Sequence, residues 1–432
     1  MKKLIGLFSA LFLLGLSSVS HASDITEMQK EIQELKSLLK NEIGKRKALE
    51  SKVNHIEGRS EELSNVDEKS SPILDIRNEN NPLSFSGGVT GVVQGTNGNF
   101  SRVNGTTDRS AFAFTFDLSV NARLAENHRF FVNLEGGQGD NINDIVGGVG
   151  AVSSPNYDPY NTTAGSLTNV TISGAYWVGT FFDEKLTVTA GKLDSNGFFD
   201  ENAYANDETA QFLTAMFVRS YGSIFQEVNN YYSPGIGVQL ALNDYIELSG
   251  VVAANSFGDL MNNLMSVAQI NFKPHLFGHD GNYRVYISQD NRSGQINIAN
   301  GRSTEHTGIG VSADQELLNG VGVFGRYARA EKGVNTGGTN VEILWMAGID
   351  FNGLLWGRDG DNVGIAYGTL NFNNKLAGNQ KNEKHFEVYY NYEVFPQIHL
   401  TPNYQYINYV TADGGATYRN VSVFGMRGQF DF

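Results

Sequence analysis

The densest run of chemically capable side chains lies at 191–208, GKLDSNGFFDENAYANDE. Asp194, Asp200, Glu201, Asp207 and Glu208 crowd around Phe198, Phe199 and Tyr204, with Lys192 near the head of the run. Carboxylates at this density could hold a hard, oxygen-loving cation such as Ca²⁺. They follow no regular ligand spacing, so no metal site is assigned. The same composition suits a loop folded into a water-filled pore as its constriction, with Lys192, Asp194, Asp200 and Asp207 as candidate lining residues. A second group, Asp117, Arg129, Asn133 and Glu135, shares one side of two neighbouring strand-like stretches. Acidic, basic and amide groups on adjoining strands give a lumen a transverse field and hydrogen-bonding sites for hydroxylated solutes.

Other chemistries find little support. There is no Cys among the 432 residues, which removes disulfides, thiolate ligands and cysteine nucleophiles together. His21, His55, His128, His275, His279, His306, His385 and His399 belong to no nucleophile–base motif. No phosphate-cradling glycine loop and no metal-ligand pair of specific spacing occurs. The expectation is a protein that is not an enzyme and needs no cofactor. A formal charge of −14 gives no basic surface for nucleic acid.

The elements that would position these groups are strands. In 421–432, Phe424, Met426, Phe430 and Phe432 fall on one face together with Gly428. Val423, Gly425, Arg427, Gln429 and Asp431 fall on the other. Period-two alternation puts two solvents on the two faces, and a greasy-outside, polar-inside final strand is one that closes a transmembrane barrel. Sorting machinery of the bacterial outer membrane commonly reads a terminal Phe, and by that likeness, not by the alternation, Phe432 is the candidate barrel-assembly signal. In 111–121 the phase repeats: Phe112, Phe114, Phe116, Leu118 and Val120 alternate with Ala113, Thr115, Asp117, Ser119 and Asn121. Similar stretches are read at 85–94, 128–136, 171–182, 185–193, 235–242, 245–254, 264–273, 282–289, 305–313, 319–329, 341–350, 361–370, 384–395, 398–409 and 420–432. The fold expected is an all-β transmembrane barrel of 16 antiparallel strands, an even number as a single-chain barrel needs. About 350 residues in sixteen strands should enclose an aqueous channel rather than a packed interior. Tight joints such as 182–185 alternate with long ones such as 137–170, and aromatics cluster near strand ends as interfacial girdles would require.

The segment before the barrel differs in kind. Residues 1–22 read as a secretory signal peptide, with Lys2 and Lys3 ahead of a short apolar run and Ser20-His21-Ala22 at its end. In 23–58, Ile25, Ile32, Leu39 and Val53 hold heptad position a, while Met28, Leu35, Leu49 and Ile56 hold d. Arg46 and Glu42 interrupt the two rows. This predicts an N-terminal α-helical coiled coil, roughly 50 Å long at 1.5 Å per residue. Too long to pack in a barrel, it should project into the periplasm and join copies, a homotrimer suiting a porin. Residues 59–82 are polar and aperiodic and read as a linker, and 83–432 as the barrel.

Three ordered motifs then carry a resemblance: GKLDSNGFFDENAYANDETAQFL from Gly191, FNGLLWGRDGDNVGIAYG from Phe351, and FPQIHLTPNYQYI from Phe395. The chain resembles the OprB-type carbohydrate-selective porins over roughly 83–432. The resemblance implies a sixteen-stranded porin in the outer membrane of a Gram-negative-type bacterium. It would be surrounded by outer-membrane lipid and pass small hydrophilic solutes, carbohydrates first. The coil is similar to that of a subgroup linked to inorganic ion or iron uptake, which offers an alternative cargo. A coil reaching peptidoglycan or the cell wall offers a further role, as a structural tether.

Overall fold

The computed structural model describes residues 82–96, 109–140, 142–146, 169–220, 232–254, 260–261, 264–290, 296–297, 302–303, 306–330, 334–335, 341–372, 381–412 and 417–432. The signal peptide expected at 1–22, the coiled coil expected at 23–58 and all but the last residue of the linker expected at 59–82 lie outside the described residues.

Each of the sixteen expected stretches forms a strand. In chain order they are β1 (Leu83–Thr96), β2 (Ser110–Ala125), β3 (His128–Gly139), β4 (Asn169–Phe181), β5 (Leu186–Asp194), β6 (Tyr232–Asn243), β7 (Ile246–Ala253) and β8 (Met265–Phe272). They continue with β9 (His279–Asp290), β10 (His306–Leu318), β11 (Val321–Ala330), β12 (Val341–Asn352), β13 (Asn362–Phe372), β14 (Glu383–Phe395), β15 (Ile398–Ala412) and β16 (Thr417–Asp431). Neighbours in sequence pair antiparallel throughout, and β1 pairs with both β2 and β16, from Gly88 opposite Asp431 to Thr96 opposite Val423. A closed sheet has no unpaired edge, the condition that lets strands cross a hydrocarbon layer.

Which face meets lipid follows from the alternation. Phe112 and Phe114 of β2, Ile236 and Val238 of β6, Val285 and Ile287 of β9, and Phe424, Met426 and Phe430 of β16 are exposed on the outside. Their alternates Ala113, Thr115, Val423, Arg427 and Gln429 are buried inside. In water this distribution would be inverted. The short turns lie at the end where β1 begins. One of them places Phe182, Asp183 and Glu184 at φ 55°, 54° and 65° to reverse β4 into β5.

One expectation needs correction. The lumen is a partly packed space and not simply an aqueous channel lined by polar alternates. A short helix, α1 (Ile142–Val146), buries Ile142, Ile145 and Val146 against inward-facing Ala111, Ile407, Val421 and Val423. The β5–β6 connection buries Phe212, Met216 and Phe217 against Phe324, Leu344, Met346, Leu370 and Phe372 of the wall. Apolar inward residues occur because segments of the chain itself cover them. At about 1.5–3 kcal/mol for each large apolar side chain removed from water, these contacts hold the insertions against the wall.

Candidate pore constriction

Residues 195–220 follow β5 into the barrel and run along its inner wall. The first turn is a 3-10 segment, Ser195–Phe198, whose Asp194 cap accepts a hydrogen bond from the Asn196 amide at 2.9 Å. Phe198 then lies over Gly237 of β6, where an added Cβ would come within 2.0 Å of the ring. Further on, Tyr204 lies over Gly322 of β11, where a Cβ would meet its ring at 2.1 Å. Bare backbone at these two wall positions makes room for the loop's aromatics. A short helix, α2 (Ala215–Val218), closes the described part of the loop with all four residues buried.

Buried charges on three wall strands pin the loop's backbone. Arg326 of β11 is 3% exposed. It donates to the Asp200 carbonyl at 2.9 Å from Nη2 and to the carbonyls of Ala205 and Phe217 from Nη1. Its Nε also lies 3.3 Å from Oδ1 of Asp200. Glu387 of β14, 0% exposed, accepts from the Leu213 and Thr214 amides at 2.8 and 2.9 Å. Arg427 of β16, also 0% exposed, donates to the carbonyls of Glu208 and Gln211, both at 2.8 Å. Charged groups at the wall thus satisfy loop amides and carbonyls that would otherwise be buried without partners, and charge-assisted bonds are the strong ones. A second ion pair, Arg284 to Asp314 at 2.6 Å, steadies the wall beneath the Ala203 amide, which donates to Asp314.

Asp200 is the hub. It sits at φ 59°, a left-handed conformation that Asp tolerates better than most residues. Its amide donates to Gln269 at 2.9 Å and its Oδ2 accepts from the Ser220 amide at 3.0 Å. Burial pushes its carboxyl above the ordinary range, against the opposing pull of Arg326 and Ser220.

Most of the loop's described hydrogen bonds and core contacts fall on β6 to β16, and Phe198 and Phe199 share a cluster with Leu193 of β5 against which Tyr176 of β4 packs. The arc β1 to β5 carries the other candidates. Asp117 and Glu135 face each other across β2 and β3, as do Ser119 and Asn133. Asn133 accepts from Ser119 at 2.9 Å and donates to Tyr176 at 3.4 Å, and Glu135 accepts from Tyr232 at 2.8 Å. Arg129 lies opposite Arg123 on the same inward phase. All four candidates on this arc are half-buried, as wall residues beside water would be. On the loop, Glu201, Asn206 and Asp207 are exposed, and Asp207 folds its own turn by accepting from the Thr209 amide at 2.7 Å.

Two candidates sit elsewhere than expected. Lys192 takes the opposite phase of β5 from Thr189, Gly191 and Leu193. It lies on the outer side with Ile172, Ala175, Pro234, Ile236 and Leu260, and it donates to the Ile172 carbonyl. Strand phase decides this, because a position one residue from an inward neighbour points outward. Asp200 is 7% exposed and anchors the loop rather than facing water. Among the described residues, no group of His, Asp and Glu is arranged to hold a metal ion.

Sequence reasoning passed over Arg326, Glu387 and Phe131, and read Tyr176 among the girdle aromatics near strand ends. Their signal was available as phase: each occupies an inward position, where a charge or an aromatic ring needs a partner. The family model described as carbohydrate-selective porin, OprB family, matches residues 104–432. A relative from Aquifex aeolicus (strain VF5), described as an uncharacterized protein, is 27% identical over 245 residues, 57% of this chain. The match spans 64% of that relative's length, less than two thirds. A high-pH structure of Pseudomonas putida OprB superposes with a TM-score of 0.65 at 16% identity, covering 81% of this chain and 94% of the other. A low-pH structure of the same protein gives 0.52 at 15% identity, covering 81% and 93%. A triple mutant of the Rhodopseudomonas blastica porin gives 0.50 at 10% identity, covering 81% and 100%. At these identities the structural likeness is one of fold.

Proposed function

The chain belongs to the carbohydrate-selective porin, OprB family, and on that premise we propose that it passes small hydrophilic solutes, carbohydrates foremost, by passive diffusion across the outer membrane. The observation that carries this reading is the constriction. A buried-charge clamp presses 195–220 against one side of the lumen and leaves a hydrophilic arc of Asp117, Ser119, Asn121, Arg123, Arg129, Asn133 and Glu135 on the other. Mixed acids, bases and amides suit hydroxylated neutral solutes, because each hydroxyl both donates and accepts. On this reading Asp117, Arg129, Asn133, Glu135 and Asp207 meet solute, while Asp194 and Asp200 shape the loop that does.

Single-channel recording of the purified full-length protein in planar bilayers tests this, with glucose and maltose as blockers. Stepwise openings blocked saturably by sugar are expected. Ohmic openings without sugar block would overturn the carbohydrate reading in favour of a general or inorganic-ion porin, iron salts being the first cargo to try. The heptads at 23–58 support a periplasmic stalk, and with it a homotrimer and a contact with peptidoglycan; that support is the sequence pattern.

A further inference from the structure

We infer that Phe131 and Tyr176 form a stacking platform for the apolar face of a pyranose ring within the pore. The inference rests on the carbohydrate reading above and assigns the residues that would make it selective.

Both rings stand on the inward phase. Phe131 of β3 lies opposite Asn121 of β2 and opposite Tyr176 of β4, while its neighbour Phe130 is exposed on the outer face. The two rings are stacked, with centroids 5.4 Å apart and planes 22° from parallel. Both remain half-buried, so among the described residues part of their surface stays open, although the cluster that holds the loop's Phe198 and Phe199 packs against Tyr176. Apolar surface facing water is unfavourable in proportion to its area, and a ligand with an apolar face would relieve it. The platform is also held still. Tyr176 packs on the cluster containing Leu193, Phe198 and Phe199, and its phenol oxygen accepts from Asn133.

Polar groups border the rings at regular intervals. Inward positions on β3 recur every second residue, roughly 6.6 Å apart, and present Arg129, Phe131, Asn133 and Glu135 in turn. A cation, an aromatic face, an amide and a carboxylate in one row match a pyranose. Its C–H face is apolar and its rim of hydroxyls both donates and accepts. A bare inorganic ion would use the charges and gain little from paired ring faces. Ordinary interior packing is the competing explanation for the pair, and it predicts no effect on sugar.

The test is sugar block of single-channel current, using full-length protein whose barrel folding is verified by heat-modifiable electrophoretic mobility. Phe131→Leu keeps the apolar bulk and removes the flat face. It should raise the half-blocking maltose concentration about tenfold, the loss expected for uncovering part of one ring face, and leave potassium conductance unchanged. Tyr176→Phe keeps the ring and should change block less than about twofold on the same reasoning. Phe131→Trp enlarges the face and should strengthen block, which provides a readout should the leucine variant fail to insert. Wild-type protein that sugar blocks, with variants blocked equally well, would overturn the platform and leave the carbohydrate reading standing. Wild-type protein that sugar does not block would overturn both.

Discussion

Replacing Arg326 with Met should unlatch the constriction loop while leaving the barrel closed. The side chain is fully buried between wall and loop. It supplies donors to the carbonyls of Asp200, Ala205 and Phe217, to Oδ1 of Asn206 at 3.3 Å, and an ion pair to the Asp200 carboxylate at 3.3 Å. Met preserves much of the volume and none of the donors, so the Asp200 carboxylate loses its cation in place. Removing one partner of a buried pair costs about 3–5 kcal/mol, chiefly because the other charge is stranded. That lowers the ratio of docked to free loop by roughly two to three and a half orders of magnitude. In planar bilayers the variant should show frequent excursions to a larger conductance and weakened sugar block, where the wild type shows steady steps. Asp200→Asn added to Arg326→Met removes the stranded charge and should restore steady openings in large part, a coupling that a double-mutant cycle measures. The pH dependence has a definite sign. Burial already raises the Asp200 carboxyl above the ordinary range. In Arg326→Met it is neutral at low pH and docking is unpenalised; the penalty grows as pH rises and the group ionises. Acidification should therefore quieten the variant. Wild-type conductance, noise and block in Arg326→Met at every pH would refute the clamp.

Two further outcomes concern the barrel itself. Phe432 closes the seam by exchanging backbone hydrogen bonds with Gly87 at 2.9 and 3.0 Å. Deleting it should lower the yield of assembled barrel in outer-membrane fractions while export continues; undiminished assembly would remove it as the signal. In the turn between β12 and β13, burial would raise the Asp361 carboxyl. Hydrogen bonds from Arg358, Tyr390 and the Glu393 amide outweigh it and hold the group down to about 2. A depressed carboxyl contributes stability that is present above its unfolded value, about 3.9, and is lost as pH falls through the folded one. Asp361→Asn should thus lower the thermal midpoint at neutral pH, with the gap closing as pH approaches about 2; a gap independent of pH would contradict the assignment.

The strands were legible because lipid and water impose opposite demands on successive residues. Phe112 to Val120 and Phe424 to Phe432 declare their outward face without any knowledge of neighbours. The same rule placed Asp117, Arg129, Asn133 and Glu135 together, since register along β2 and β3 preserves phase. The rule itself puts Lys192 outward, but this residue lies among the last three of β5, and the polar motif running past Asp194 made the segment read as loop rather than strand. The rule gives out where depth is set by something other than the strand's own pattern. Asp200 reads as a solvated acid beside Glu201, yet Arg326, 126 positions further on, draws it into the wall.

The inward apolar residues show why a lumen loop is harder to read than a membrane strand. Phe324, Leu344, Met346 and Leu370 break the polar-inside rule, and taken singly each looks like noise in the alternation. Taken together they mark a patch that an aqueous pore would not tolerate uncovered, and the chain holds one long connection with apolar residues to match it, Phe212 to Val218. Glycines at 237 and 322 point the same way, since a missing side chain in a lumen wall leaves a socket that Phe198 and Tyr204 fill. Violations of the barrel pattern are therefore informative. Phe131 and Tyr176 violate the same rule but keep part of their surface open, Tyr176 packing against the cluster of the loop's Phe198 and Phe199 and Phe131 stacking on Tyr176. The loop explains the first group of violations and covers part of Tyr176. The surface that Phe131 and Tyr176 keep open is what the proposed sugar platform would use.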